Sequence, residues 1–369
     1  MAQGVKAIKL WIEGREEFLG NPGITRKRRE EVMKAHRVIW IGGIVALSAL
    51  FIFQTFGARA NAQGIQLRLA HYIDEKHPLH LGAKMLADNV DKRTQGKVKI
   101  VIYPANTLGS PPEVVKQVKL GTLDMCLNTQ GQLEYYIKAC ATAQIPFVFD
   151  DYDHAHRTLD GPVMKWLGPL FEQAGFIHLA NWEWGFRNVT NNKRAIMKPE
   201  DIKGLKIRVP PEFHLQALFE SLGAVVTKIA WPELYMALAQ NVVDGQENPL
   251  SAIYYQKFYE VQKHVALTQH AYACAMPLIG SNSWSKLTKE QQNILREESK
   301  KAGEYVRKTL NDEEKDLIAK FEKAGLKVTR PDIAAFRAKM GPAYEKIFER
   351  YGQDNVKTFM KYVEEARKQ

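Results

Sequence analysis

Apolar and polar positions alternate along some stretches of the chain and recur every three to four residues along others. In QLRLAHYI (66–73) and KVKIVIY (97–103), apolar side chains fall at every second position, which places them on one face of a strand. TLDMCLN (122–128) predicts a third strand. Two helices are predicted between them. One runs from Pro78 to about Val90 and ends near Gly96. The other is PPEVVKQVKLG (111–121), with prolines at its start and glycine at its end, the usual asymmetry of helix termini. This βαβαβ order predicts a parallel sheet with right-handed crossovers.

The same grammar resumes further on. FIHLANW (176–182), LKIRV (205–209) and VVTKIA (225–230) predict strands. EFHLQALFESLG (212–223) and WPELYMALAQ (231–240) predict helices, the latter with Pro232 at its first position. Two α/β units in one chain predict two lobes with a cleft between them. The last third is helical. Thr288 and Gln291 form a capping box, and Leu295, Ala302, Val306, Leu310, Leu317 and Phe321 keep one apolar face as far as Gly325. A helix of that length exceeds what one small lobe needs, and bracing both lobes would account for it.

The 369 residues are 45% apolar and 25% charged, an ordinary globular balance with enough chain for two cores. The net charge of +11 suggests nucleic acid, but residues 1–62 hold ten Lys/Arg against five Asp/Glu. The remaining excess is spread thinly, with no basic cluster interleaved with aromatics, so no nucleic-acid partner is expected. One apolar run, VIWIGGIVALSALFIFQTFGA (38–58), follows Lys34 and Arg37 and precedes Ala60-Asn61-Ala62. That pattern predicts an export signal cleaved near Ala62, with an uncleaved anchor as the competing reading. Met33 is the expected translation start, which makes 1–62 an extension plus signal peptide. Cys126, Cys140 and Cys274 show no metal or redox spacing. They are expected to be buried small hydrophobes, at least one of them unpaired.

FDDYDHAH (149–156) gathers three aspartates and two histidines. A metal site and a helix cap both fit, and the apolar-periodic segment that follows favours the cap. No nucleophile elbow, phosphate loop, zinc-binding helix or dinucleotide fingerprint occurs. Neither catalysis, a cofactor nor a metal is expected.

Arg208 ends the alternation of LKIRV, just before Pro210 and Pro211. Ligands of open α/β sheets sit outside the carboxyl ends of the strands. A guanidinium there, near helix N-termini, suits a carboxylate. The alternative is an ion pair with Glu212, Glu220 or Glu233. Arg187, in WEWGFRNVTNN, is read equally as a ligand contact or as a surface arginine lying over Trp184 or Phe186. Trp231 stands at a helix mouth, and Gln246, Glu247 and Asn248 precede a helix expected at Pro249. The plainer readings are a core or stapling role for Trp231 and N-capping for Asn248.

With these residues in view, the chain resembles the solute-binding proteins of tripartite ATP-independent periplasmic (TRAP) transporters, of the C4-dicarboxylate-binding (DctP) type. The resemblance spans nearly all of 66–366. It is carried by GFRNVTNNKR, DIKGLKIRVP, ELYMALAQNVVDGQENPL and YYQKFYEVQKHVALTQH, with GTLDM and QGKVKIVIYPANTLG in support. It implies a type II-like periplasmic binding protein fold, with two α/β lobes joined by hinge strands and a long bracing helix, closing on a ligand. The expected division is 63–185 plus 274–313 for one lobe and 186–273 plus 314–369 for the other. The family's anion-binding arginine matches Arg208, its second arginine Arg187, the asparagine of Q-E-N-P Asn248, and its aromatic Trp231. Glu247 of the same motif is also expected at the ligand. So are the strand-end residues Asn128, Thr129 and Gln130, and Tyr72 and His77 beside His71 in the first loop. Sialic-acid-binding members carry a glutamate near 128–130, which this chain does not. The resemblance implies a small organic or sugar acid as ligand, periplasmic location, a membrane permease as partner, and action as a monomer. The competing classes are a secreted or anchored enzyme and a membrane-tethered sensor ectodomain.

Overall fold

The first three expected strands form in the computed structural model, which describes residues 64–369 and positions 23, 25–27, 30, 31 and 34. They are β1 (Ile65–Ala70), β2 (Val98–Tyr103) and β3 (Met125–Thr129), all parallel, in the order β2-β1-β3. The helices Pro78–Arg93 and Pro111–Leu120 connect them. Ser110 and Glu113 close a capping box at the start of the second helix, and Gly121 ends it at φ 75°, a conformation that costs glycine nothing. The expected export signal, its cleavage site and the start at Met33 lie outside the described residues. Among the described residues no helix is long and apolar enough to cross a membrane.

The next segment departs from expectation. FIHLANW is not one strand: β4 is only Phe176–His178, and a ten-residue strand, β5, runs through Trp182–Asn191. Every residue of β5 is buried, so no alternation marks it in the sequence. Then come β6 (Lys206–Val209), β7 (Val225–Lys228) and β8 (Gly245–Pro249), parallel in the order β8-β6-β7. The helix Phe213–Ser221 links β6 to β7, and a 3-10 turn, Trp231–Glu233, leads into the helix Leu234–Ala239. Gln246, Glu247 and Asn248 therefore lie on a strand, and Asn248 caps no helix.

The last strands are β9 (His264–Ala266), β10 (Tyr272–Gly280) and β11 (Lys327–Thr329). The sheet of the described residues is mixed, not purely parallel. β10 runs antiparallel to β3, and β5 runs antiparallel to β10, β8 and β9. β5 pairs with β10 over Trp182–Phe186 and with β8 over Arg187–Asn191, so the two α/β halves meet along β5. The register shifts at Ala273/Cys274. Opposite the shift stands Gly185 at φ 108°, where a side chain would be strained.

The helix Lys289–Lys323 is 35 residues long and opens with the Thr288–Gln291 capping box. At one end Glu298 takes hydrogen bonds from Asn89 and Arg93 of the helix Pro78–Arg93. At the other, Tyr255 bonds Glu313, and Phe321 joins the cluster of Leu234, Phe258 and Val265. One helix thus packs on both halves. Helices Gly341–Tyr351 and Gln353–Arg367 cover a core shared by Phe149 and Leu159 on one side and Leu215 and Phe219 on the other.

The cysteines are all free and buried, and burial pushes the Cys126 and Cys274 thiols up to about 12. Asp151 caps the helix Tyr152–Leu159 by accepting from His154 N at 2.7 Å. Among the described residues no group of three or more acidic, histidine or cysteine side chains is arranged to hold a metal.

A buried two-arginine cleft as candidate site

β6 ends at Val209 because Pro210 cannot continue the ladder, and this leaves Arg208 pointing into a cleft between the two halves. The cleft is lined by Tyr72, Ser110–Pro112, Thr129, Gln132, Trp184, Arg187, Arg208, Glu212, Trp231 and Asn248, among others, around about 470 Å³ including its mouth.

Arg208 is 1% exposed. Its Nε donates to the Ile229 carbonyl at 2.9 Å, but Nη1 is buried without a hydrogen-bond partner. Among the described residues it forms no ion pair. Glu220 pairs with Lys346 at 3.5 Å, and Glu212 accepts from Gln132. Burial pushes the guanidinium down to about 10, with Glu247 pulling the other way and Arg187 adding to the fall. A desolvated cation with a free donor is costly unless something anionic meets it.

Arg187 is buried rather than on the surface; it lines the cleft, and its Nε and Nη2 are taken up within the protein. It lies at the point where β5 passes from β10 to β8. Its Nε donates to Glu247 Oε2 at 2.5 Å and its Nη2 to Glu247 Oε1 at 2.8 Å. Nη2 also reaches Asn248 Oδ1 at 3.2 Å. Burial opposes ionisation of both partners, but the pairing outweighs it: Arg187 is raised and Glu247 is held at about 2. His270 adds a bond to Glu247 at 3.1 Å. Asn248 Nδ2 donates to Gln246, whose Nε2 donates to Thr190, so the polar side chains of β8 are partnered among themselves, with β5 and with His270.

Trp231 closes one wall. Its Nε1 donates to the Tyr72 carbonyl at 3.0 Å, and its ring meets Tyr72 edge-on at 5.2 Å. Thr129 also lines the cleft. Four expected contacts do not. Gln130 uses Oε1 to accept from Cys274 N at 2.9 Å, and Asn128 donates to the Pro111 carbonyl at 3.0 Å. His77 caps the helix Pro78–Arg93 and stacks behind Trp184. Glu247 serves Arg187. His71 is turned toward His80 at 3.1 Å. Burial lowers His71 and His77 to about 3.

Residues not expected at the site are Ser110, Gln132, Trp184 and Glu212. Ser110 carried a signal, since a helix N-terminus following a strand faces this side of a sheet. Glu212 stood in view as a partner for Arg208 and proves to be a cleft residue in its own right.

The arrangement is that of a two-lobed receptor with a buried cationic cleft. The family model for bacterial extracellular solute-binding proteins, family 7 (DctP), matches residues 69–351. The sialic acid-binding periplasmic protein SiaP of Vibrio cholerae is 34% identical over 275 residues, covering 74% of this chain and 85% of that protein. A TRAP periplasmic solute-binding protein from Polaromonas, solved bound to D-erythronate, is 33% identical with a TM-score of 0.77, over 80% of this chain and 98% of that one. Another, from Sulfurospirillum deleyianum with bound succinate, is 30% identical with a TM-score of 0.75 over the same shares. The chain belongs to the DctP family of TRAP-type solute-binding proteins.

Proposed function

We propose that this protein is the solute receptor of a TRAP transporter, binding a small organic or sugar acid by its carboxylate in the cleft. The observation that carries this is the contrast between the two arginines. Glu247 neutralises Arg187, whereas Arg208 is fully buried with Nη1 unpartnered. A carboxylate placed against Arg208 supplies the missing acceptor and charge. Arg187, Asn248, Trp231, Thr129 and Tyr72 shape the same cleft, and Glu247 supports it from behind.

In this reading the lobes divide near residues 185 and 273, where β5 passes from β10 to β8 and the register of β10 shifts, and close over the acid as hinged bodies. The buried guanidiniums of the cleft are placed to hold an anion, which favours a receptor over an enzyme. Family membership supports a periplasmic location and hand-over to a membrane permease. A thermal-shift screen of organic and sugar acids tests the proposal, because a ligand bound by the folded state raises Tm with concentration. A dose-dependent rise with one or more acids, and none with their neutral analogues, is the expected result. A panel in which only uncharged solutes raise Tm would overturn it.

A further inference from the structure

The charge balance of the cleft rests on one group beyond the arginines and Glu247. Glu212 leaves β6 behind Pro210 and Pro211, lines the cleft and is 2% exposed. Gln132 donates to its Oε1. His214 Nε2 stands 3.6 Å from its Oε2, yet Oε2 has no hydrogen-bond partner. The carboxyl is pressed against Gly131, where a Cβ would lie 1.9 Å from Oε2 and 2.4 Å from Gln144 Oε1. Both polar atoms of the Gln144 amide are also buried without partners. An amide can turn either its oxygen or its NH2 toward a neighbour. Gln144 can therefore accept from a protonated Glu212 or donate to an ionised one.

The charged and titratable groups facing Glu212 come from seven places. They are Arg187 on β5, Arg208 on β6, Glu247 on β8, Glu134 after the turn Gln130–Leu133, His214 on Phe213–Ser221, and Tyr72 and Tyr351. Burial holds His214 down at about 3 and pushes both tyrosines up, so all three are neutral. Glu134 is matched by Arg350 at 3.5 Å. Two guanidiniums then face Glu247 and Glu212. With Glu212 ionised they balance, and an incoming carboxylate is an unmatched buried charge. With Glu212 protonated, one carboxylate restores neutrality and a second exceeds it. Burial, the largest influence, pushes Glu212 up to about 7, so the proton is at hand near neutrality. Trp184 also lines the cleft, and its buried, unpartnered Nε1 offers a donor to a hydroxyl group.

We propose that the cleft selects a singly charged, hydroxylated acid, and that Glu212 carries the proton that keeps the site neutral when the acid binds. This rests on the carboxylate reading above and deepens it, because it sets hydroxy monoacids apart from dicarboxylates. The test is titration calorimetry of D-erythronate, D-galactonate and D-glucuronate against succinate and malate. Wild type and Glu212→Gln are compared from about pH 6 to about pH 9, each in buffers of different ionisation enthalpy. Wild type should take up close to one proton per hydroxy acid bound at about pH 8, with affinity falling by up to about tenfold per pH unit above about 7. Glu212→Gln should take up none and lose the slope. Succinate and malate should bind wild type at least roughly a hundredfold more weakly. The wild-type proton count stands even if the variant folds poorly. Binding without proton uptake, or dicarboxylates bound as tightly as hydroxy acids, overturns this inference and leaves Arg208 as the carboxylate anchor. Failure of every acid in the panel to bind overturns both.

Discussion

Arg187 and Glu247 form a buried two-pronged ion pair, Nε to Oε2 at 2.5 Å and Nη2 to Oε1 at 2.8 Å. The strand register creates it: β5 runs antiparallel to β8, with Asn188 opposite Asn248 and Val189 opposite Glu247. These two charges thus cancel each other, and Arg208 is left without a carboxylate partner among the described residues.

Glu247→Ala should destabilise the protein by about 3–5 kcal/mol, because it strands a buried guanidinium. Urea denaturation measures this. A loss below about 1 kcal/mol, the size typical of an exposed pair, would show that Arg187 finds another partner or water.

Stability should also depend on pH through these acids, in opposite senses. Glu247 is depressed to about 2, so its contribution is present above the ordinary carboxylate range and is lost as pH falls through about 2. Glu212 is raised from 4.5 to about 7. The folded state holds its proton where the unfolded chain has lost it, so stability falls as pH rises from 4.5 toward 7 and stays lower above. Glu212→Gln should flatten the neutral part of the profile and be the more stable protein at about pH 8. Denaturation midpoints across pH check this, and an unchanged slope in the variant would contradict it.

Much of the fold was legible because its helices carry end signals: Pro111 and Gly121, and Thr288 with Gln291. The strand-end position of Arg208 was legible for the same local reason. What stayed hidden depended on partners distant in sequence. β5 and β10 are buried on both faces, so WEWGFRNVTN and YACAMPLIG show no alternation. β8 is polar, and Gln246, Glu247 and Asn248 look like a cap until Arg187 and Thr190 are placed beside them. Gln130 and Asn128 stand at the expected strand end but turn away from the cleft, toward Cys274 and Pro111.

Trp231→Phe keeps the aromatic wall but removes the bond from Nε1 to the Tyr72 carbonyl, which ties the two sides of the cleft together. A hydrogen bond of this kind is worth about 0.5–1.5 kcal/mol. Affinity for a bound acid should therefore fall by roughly two- to tenfold, chiefly through faster release. Stopped-flow dissociation measures it. An unchanged release rate would show that this bond does not hold the closed state.

Closure itself should be visible in solution. Small-angle scattering with and without a saturating acid should give a smaller radius of gyration in the bound state, since lobes joined through β5, β10 and one long helix can hinge. Identical curves would argue for a preformed site.

The most direct test of the central claim is the affinity of Arg208→Ala for an acid that binds wild type, measured by calorimetry on a variant whose circular dichroism matches wild type. Charged hydrogen bonds contribute about 1.5–3 kcal/mol each, so loss of a forked contact should weaken binding by roughly a hundredfold or more. Arg208→Lys should also bind poorly, because it keeps the charge but not the fork. The amide of the same acid should bind wild type weakly and lose little more in Arg208→Ala. If Arg208→Ala binds the acid within a few-fold of wild type, Arg208 is a structural residue and the carboxylate is held elsewhere.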